Sequence, residues 1–248
     1  MRAEDGILAL VCYAGVCLGG ELVSPVATLS PPVSSGSAGS VVALGDGWAA
    51  VGAPFAPVGG RAEQGMAHLY VLQSDDTWVC ATSLVADAGA AYDRFGQALA
   101  ASGNRLAVGA WGDDQKGAEA GAVHLFETDG TNWIWRAKLT ASDGAAGHQF
   151  GWAVALDGDR LAVGARKAPK GSATASGAVY LFEKQTEGSW TEKQKLQPAD
   201  AASYDYFGCA VALDGDELLV GANDNDDKGS KSGSAYLFRF DRGGTQRW

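Results

Sequence analysis

The chain has 248 residues, of which 46% are apolar and 35 are glycine, with a formal net charge of −10. That apolar content is too high for a disordered chain, and the glycines follow no Gly-X-Y period, which excludes collagen. The acidic balance disfavours nucleic acid as a partner, because it repels phosphate backbones.

The first feature along the chain is an apolar run at 7–20, ILALVCYAGVCLGG. It is too short to cross a bilayer as a helix. Two readings stand for residues 1–20: a signal-like leader, with Arg2 in front and Gly19 and Gly20 near a cleavage point, or strands of a partial blade. Glu4 and Asp5 weigh against the leader. The stretch 22–29, LVSPVATL, follows as an extra apolar segment.

From there to the end the chain repeats itself, and residues 21–248 read as one domain of four copies starting near 38, 95, 150 and 207. A Gly-Ala pair recurs at 52, 109, 164 and 221. A second glycine recurs at 65, 121, 177 and 233, every step being 56 residues. Trp78, Trp133, Trp190 and Trp248 mark another shared position. Phe-Gly stands at 95, 150 and 207, with Ala38-Gly39 in the first copy, and 13 residues always separate its glycine from that of Gly-Ala.

Each copy resolves into four short apolar runs; in the third they are 152–156, 160–165, 178–182 and 190–196. Asp157-Gly158-Asp159 and Asp214-Gly215-Asp216 between the first two runs predict tight hairpins, because such turns need positive φ. The second run, Leu-Ala-Val-Gly-Ala, is apolar on both faces, as expected for a strand covered on both sides. The fourth, Trp190 to Leu196, alternates and carries the charges that suit an outer edge. The expected fold is all-β: a β-propeller of four blades, each of four antiparallel strands, the alternative being an open part of a larger propeller.

These residues resemble FG-GAP repeats, which build the propellers of integrin α chains and many surface proteins. The resemblance rests on Phe150-Gly151, Gly164-Ala165, the run Ser176 to Phe182, and Trp190 with Lys195-Leu196. It implies a ligand-binding face on the loops joining strands two to three and strand four to the next blade. On this chain that face holds Trp111, Asp113, Asp114, Arg166, Lys167, Tyr204 and Tyr206, together with Tyr92, Asp93 and His148. One departure matters. Integrin-type repeats carry a calcium loop before Gly-Ala, whereas here that place holds only a tight turn, too short to supply six oxygens to an ion.

Little catalytic chemistry is written in the sequence. His68 and His124 lie 56 apart and the next two steps land on Tyr180 and Tyr236, so they fill one structural position. No nucleophile elbow, phosphate-binding loop or zinc-protease motif occurs. No tight cofactor is expected. The only clustered hard ligands are Asp224, Asp226 and Asp227, with Ca²⁺ as the metal they would take, against a solvated acidic loop. Cys80 and Cys209 are expected inside strands as small apolar residues.

The expectation for function is a non-enzymatic binding or adhesion module for a protein or glycan partner, secreted or at the cell surface. The rivals are a propeller hydrolase or lyase on polysaccharide or lipid head groups, and a spacer fragment of a larger surface protein. The copies also predict how the ring ends. Leu29, Leu84, Leu139 and Leu196 share one phase, so 22–29 is expected to pair with the third strand of the last copy and close four blades.

Overall fold

The computed structural model describes residues 27–32, 36–241 and 248; everything below concerns these. They form fifteen strands and no helix. Blade 1 comprises β1 (Val41–Leu44), β2 (Trp48–Ala53), β3 (Met66–Leu72) and β4 (Trp78–Leu84). Blade 2 comprises β5 (Ala98–Ser102), β6 (Arg105–Ala110), β7 (Ala122–Thr128) and β8 (Trp133–Leu139). Blade 3 comprises β9 (Phe150–Asp157), β10 (Arg160–Ala165), β11 (Ala178–Lys184) and β12 (Trp190–Leu196). Blade 4 has β13 (Ala210–Asp214), β14 (Glu217–Ala222) and β15 (Ser234–Arg239). Within each blade the strands are antiparallel neighbours in chain order.

The turns between first and second strands are the tight ones that the sequence predicts, with Gly158 and Gly215 at φ 53° and 54°. β6 and β10 are buried along all but their first residue, because a neighbouring blade covers each face. The outer strand β12 alternates in burial over its first five residues, with Thr191 and Lys193 exposed.

The glycines of Gly-Ala exist for the neighbouring blade. A methyl group on Gly52, Gly109 or Gly164 would lie 2.2, 2.1 or 2.0 Å from the carbonyl oxygen of Gly96, Gly151 or Gly208 in the next blade. The Phe that precedes that second glycine docks into its own blade. Phe95, Phe150 and Phe207 meet His124, Tyr180 and Tyr236 edge-on at 5.3, 5.5 and 5.4 Å. The His/Tyr position is thus a packing position, as the 56-residue step implies. Backbone bonds stitch the junctions at the same place in each repeat: Phe95, Phe150 and Phe207 donate to Gln64, Ala120 and Ser176.

Blade 4 has three described strands, the number that the fourth copy supplies in sequence; Trp248 marks the place where the other fourth strands open, and it bonds to Gln194 of blade 3 in both directions. One detail differs from the sequence expectation. Cys209 lies one residue before β13, while Cys80 is inside β4.

The predicted ring closure divides in two. Leu29 packs with Ala49, Val51 and Tyr70 on the outer face of blade 1. Leu84 takes the same place against Leu106, Val108 and Phe126 of blade 2, so the phase assigned to Leu29 is right. The pairing itself falls mostly on residues 22–26, outside the described residues; residues 27–29 form no strand, and among the described residues β15 pairs with β14. Residues 1–26, including the rest of 22–29, lie outside the description. The outer face of blade 4 exposes Leu219 and Leu237, whose counterparts in blades 2 and 3 are buried. On the outer face of blade 1, Val42 and Leu44 are 66% and 74% exposed. Among the described residues the four blades thus form an open arc, with the outer faces of blades 1 and 4 uncovered.

Candidate functional site

Antiparallel pairing puts the loops between second and third strands at one end of every blade, next to the segments that lead into Phe-Gly. These segments hold non-glycine residues at positive φ: Tyr92 and Arg94, Gln149, Tyr204 and Tyr206. Such conformations cost about 1–2 kcal/mol each for an L-residue. They recur at matching places because the interblade stitch needs them: Arg94, Gln149 and Tyr206 donate to Glu63, Glu119 and Ala175. The backbone is common to the repeats, and the side chains it displays are where the repeats differ.

Those side chains form a ladder of rings and guanidinium groups across the arc. Arg94 lies 4.5 Å from the Phe55 ring and 5.9 Å from Trp111. Trp111 meets Trp152 at 5.5 Å. Arg166 stands 3.2 Å above Trp152 and 5.6 Å from Tyr206, which lies 6.4 Å from Tyr204. Arg166 Nε donates to Gln149 Oε1, and Gln149 Nε2 donates to Glu119 Oε2. Burial holds the Arg166 guanidinium below its usual range, with Tyr206 opposing that. Cation–π contacts of this kind contribute about 0.5–2 kcal/mol each and fix the guanidinium plane.

Of the residues singled out in the sequence, Trp111, Arg166, Tyr204 and Tyr206 come together in this ladder. Lys167 is its partly exposed neighbour, with its backbone N–H bonded to His148. Asp113 is placed differently. It is 5% exposed, paired with Lys138 at 2.6 Å, and accepts the Gln115 N–H. Asp114 accepts the Glu119 N–H. Both carboxylates organise their loop. Asp93 is buried behind them; desolvation lifts its carboxyl to about 6, against the bond from the Ala90 N–H, and Asp113 adds to the rise.

In the acidic loop of blade 4 the candidate residues are bonded locally, and the Asp227 N–H donates to Asn225 Oδ1. Asp224 pairs with Lys231 at 3.0 Å and accepts from Asn223, and Asp226 accepts the Lys231 N–H. Among the described residues no three His, Cys, Asp or Glu side chains converge as metal ligands.

Phe55, Arg94 and Trp152 are ladder members that the sequence reading passed over. Trp152 carried a signal: it follows Phe-Gly, where the other copies have Gln97 and Cys209. A bulky ring at a position that the fold leaves open points to display.

Among the described residues no helix is long and apolar enough to cross a membrane. No curated protein matches the chain. The FG-GAP repeat pattern matches residues 78–126, 133–182 and 190–238, together more than half of the chain. Each match opens on a fourth strand and ends in the third strand of the next blade, so the sequence unit straddles two blades. With three such units in phase on four successive blades, the chain belongs to the FG-GAP repeat family.

Proposed function

We propose that this chain is a non-catalytic binding module that takes a protein or glycan partner on the ladder face, working outside the cell, secreted or at its surface. FG-GAP repeats are associated with binding and adhesion modules. The observation that carries the reading is the ladder Phe55–Arg94–Trp111–Trp152–Arg166–Tyr206. Rings and guanidinium groups pre-oriented by one another, at the edge of exposed Tyr92 and Tyr204, have the composition of an energetic hot spot. The rival catalytic reading would need a titrating group within reach of substrate. Asp93, the carboxyl with the raised pKa, is 2% exposed and already accepts a backbone N–H, which favours a structural role. No cofactor is assigned.

The test is a screen of the purified chain on matrix-protein and glycan arrays with and without Ca²⁺, followed by Trp111→Ala and Arg166→Ala. The reading expects a ligand whose affinity falls about ten- to a hundred-fold in each variant, without dependence on Ca²⁺. Ligands that bind both variants as well as the parent chain would refute it.

A further inference from the structure

The opposite end of the blades carries the turns between first and second strands and the loops between third and fourth. At each junction there, the residue opening the second strand reaches toward the next blade. Between blades 2 and 3 it is Arg105, bonded to Gly158 O at 2.7 Å and Asp159 at 2.8 Å. Glu127 gathers Arg105, Arg136 and Lys184 around it and fills the space. Between blades 3 and 4 it is Arg160, bonded to Gly215 O and Asp216 and lying over Phe240.

Between blades 1 and 2 every one of these places has changed. The positions of Arg105, Glu127, Arg136 and Lys184 are taken by Trp48, Val71, Ala81 and Thr128, as the strand registers show. The charged filling is gone, and a cavity of about 880 Å³ stands in its place. That volume lies within the range of small-molecule sites, roughly 300–1,000 Å³.

Its walls have a distinct chemistry. Trp48 and Trp133 meet edge to face at 4.7 Å, and Trp48 Nε1 is bonded to Gly103 O. Trp133 is half-buried, and no bond from its indole N–H is among those of the described residues. Asn104, Thr82, Asp46 and Asn132 bring hydroxyl, amide and carboxylate groups to the rim. Asn104 uses its Nδ2 on Thr128 O, leaving Oδ1 as an acceptor, and Asp129 is committed to the N–H groups of Thr131 and Asn132. No Lys or Arg lines the cavity.

A half-buried indole beside amide, hydroxyl and carboxylate groups, with no cation, matches a ring that is apolar on its C–H face and hydroxylated at its edge. We propose that the cavity between blades 1 and 2 is a binding site for a neutral carbohydrate unit, separate from the ladder face at the other end of the blades. Trp133, the half-buried indole, supplies the stacking surface, and Asn104, Thr82 and Asp46 take the hydroxyl groups. A phosphate or carboxylate would find no cation there to offset its charge, and Asp46 would repel it.

The experiment titrates the whole chain with glucose, galactose, mannose, N-acetylglucosamine and N-acetylgalactosamine up to about 50 mM, read by saturation-transfer NMR and tryptophan fluorescence. Glucuronate and glucose 6-phosphate are the charged controls. Two variants fill the cavity with residues that other copies already carry: Val71→Glu with Ala81→Arg, after blade 2, and Thr82→Gln, after blade 3. The inference expects a response to at least one neutral sugar, weakened at least about ten-fold in both variants, while Trp111→Ala and Arg166→Ala leave it unchanged. Thermal midpoints near that of the parent chain show that the variants are folded. Silence from all five sugars, a response to the charged controls alone, or a response that survives filling would overturn it. Loss of the response in the ladder variants would also overturn it, by placing the sugar on the other face.

Discussion

The glycine of Gly-Ala offers a four-fold internal experiment. At Gly164 an added Cβ would lie 2.0 Å from Gly208 O; ordinary contact begins at 3.4 Å, so blade 4 would have to retreat by about 1.4 Å. Retreat pulls on the stitch at that junction, the Phe207 N–H on Ser176 O at 2.9 Å and the Tyr206 N–H on Ala175 O at 3.2 Å. Overpacking costs about 1–3 kcal/mol, and a backbone obstacle that cannot rotate away belongs at the upper end, about 3 kcal/mol. At Gly221 the nearest atoms are 3.5 Å away, Ala210 Cβ and Cys209 Sγ, and no described residue of another blade approaches it. Gly221→Ala should therefore be neutral, or stabilising by about 0.5 kcal/mol through the lost freedom of glycine in a strand. For a chain of this size, about 3 kcal/mol corresponds to a fall of about 6–12 °C in thermal midpoint. The assay is thermal and urea unfolding of the two variants beside the parent chain. A Gly221→Ala cost equal to that of Gly164→Ala would mean that something packs on blade 4 as blade 4 packs on blade 3. A neutral Gly164→Ala would mean that the junctions are looser than the geometry requires.

Three further outcomes follow from buried groups and from the acidic loop. The Asp93 carboxyl, raised to about 6, keeps its proton in the folded chain between about pH 4 and 6, where the unfolded chain has lost it. Stability should thus fall as pH rises through that window; Asp93→Asn should flatten the slope in urea titrations and add about 1–2 kcal/mol at pH 7.5, and an unchanged slope would contradict this. Burial lowers His124 to about 4, so it is neutral at pH 7, and the stability of that neutral form is lost as pH falls from 6.5 through 4. His124→Phe, keeping the edge contact with Phe95, should hold its thermal midpoint better than the parent chain at pH 5; an equal loss would refute this. With Asp224 and Asp226 engaged by Lys231, millimolar Ca²⁺ should leave the thermal midpoint within about 1 °C, and a calorimetric site abolished by Asp224→Ala would show otherwise.

The strand plan was legible because the repeat supplies four readings of one structure. Glycines at fixed intervals located the close approaches, and Asp157-Gly158 located a hairpin. The His68, His124, Tyr180, Tyr236 series separated packing from chemistry before any geometry was known. For closure, phase told which face Leu29 meets, while the pairing of 22–29 lies mostly outside the described residues. Site residues were less legible for a similar reason. Asp113 looks like a displayed loop carboxylate in sequence, yet its partner Lys138 is 25 positions away on another strand. The ladder and the cavity both arise where one copy breaks from the others, at Trp152 and at Trp48, Val71 and Ala81, and only the packing tells which breaks meet.

The central architectural claim is a row of blades with two open ends. Leu237 of blade 4 corresponds to Leu125 of blade 2, which shares a core cluster with Val154, and Val42 of blade 1 corresponds to that Val154. Spin labels at Val42→Cys and Leu237→Cys, in a chain whose own cysteines are changed to serine, turn that correspondence into a ruler. Packed sheets lie about 10 Å apart, so a closed ring would hold the two labels within about 20 Å. Double electron–electron resonance on the dilute monomer should give a distance clearly longer than that; a sharp distribution at or below about 20 Å would contradict the open arc.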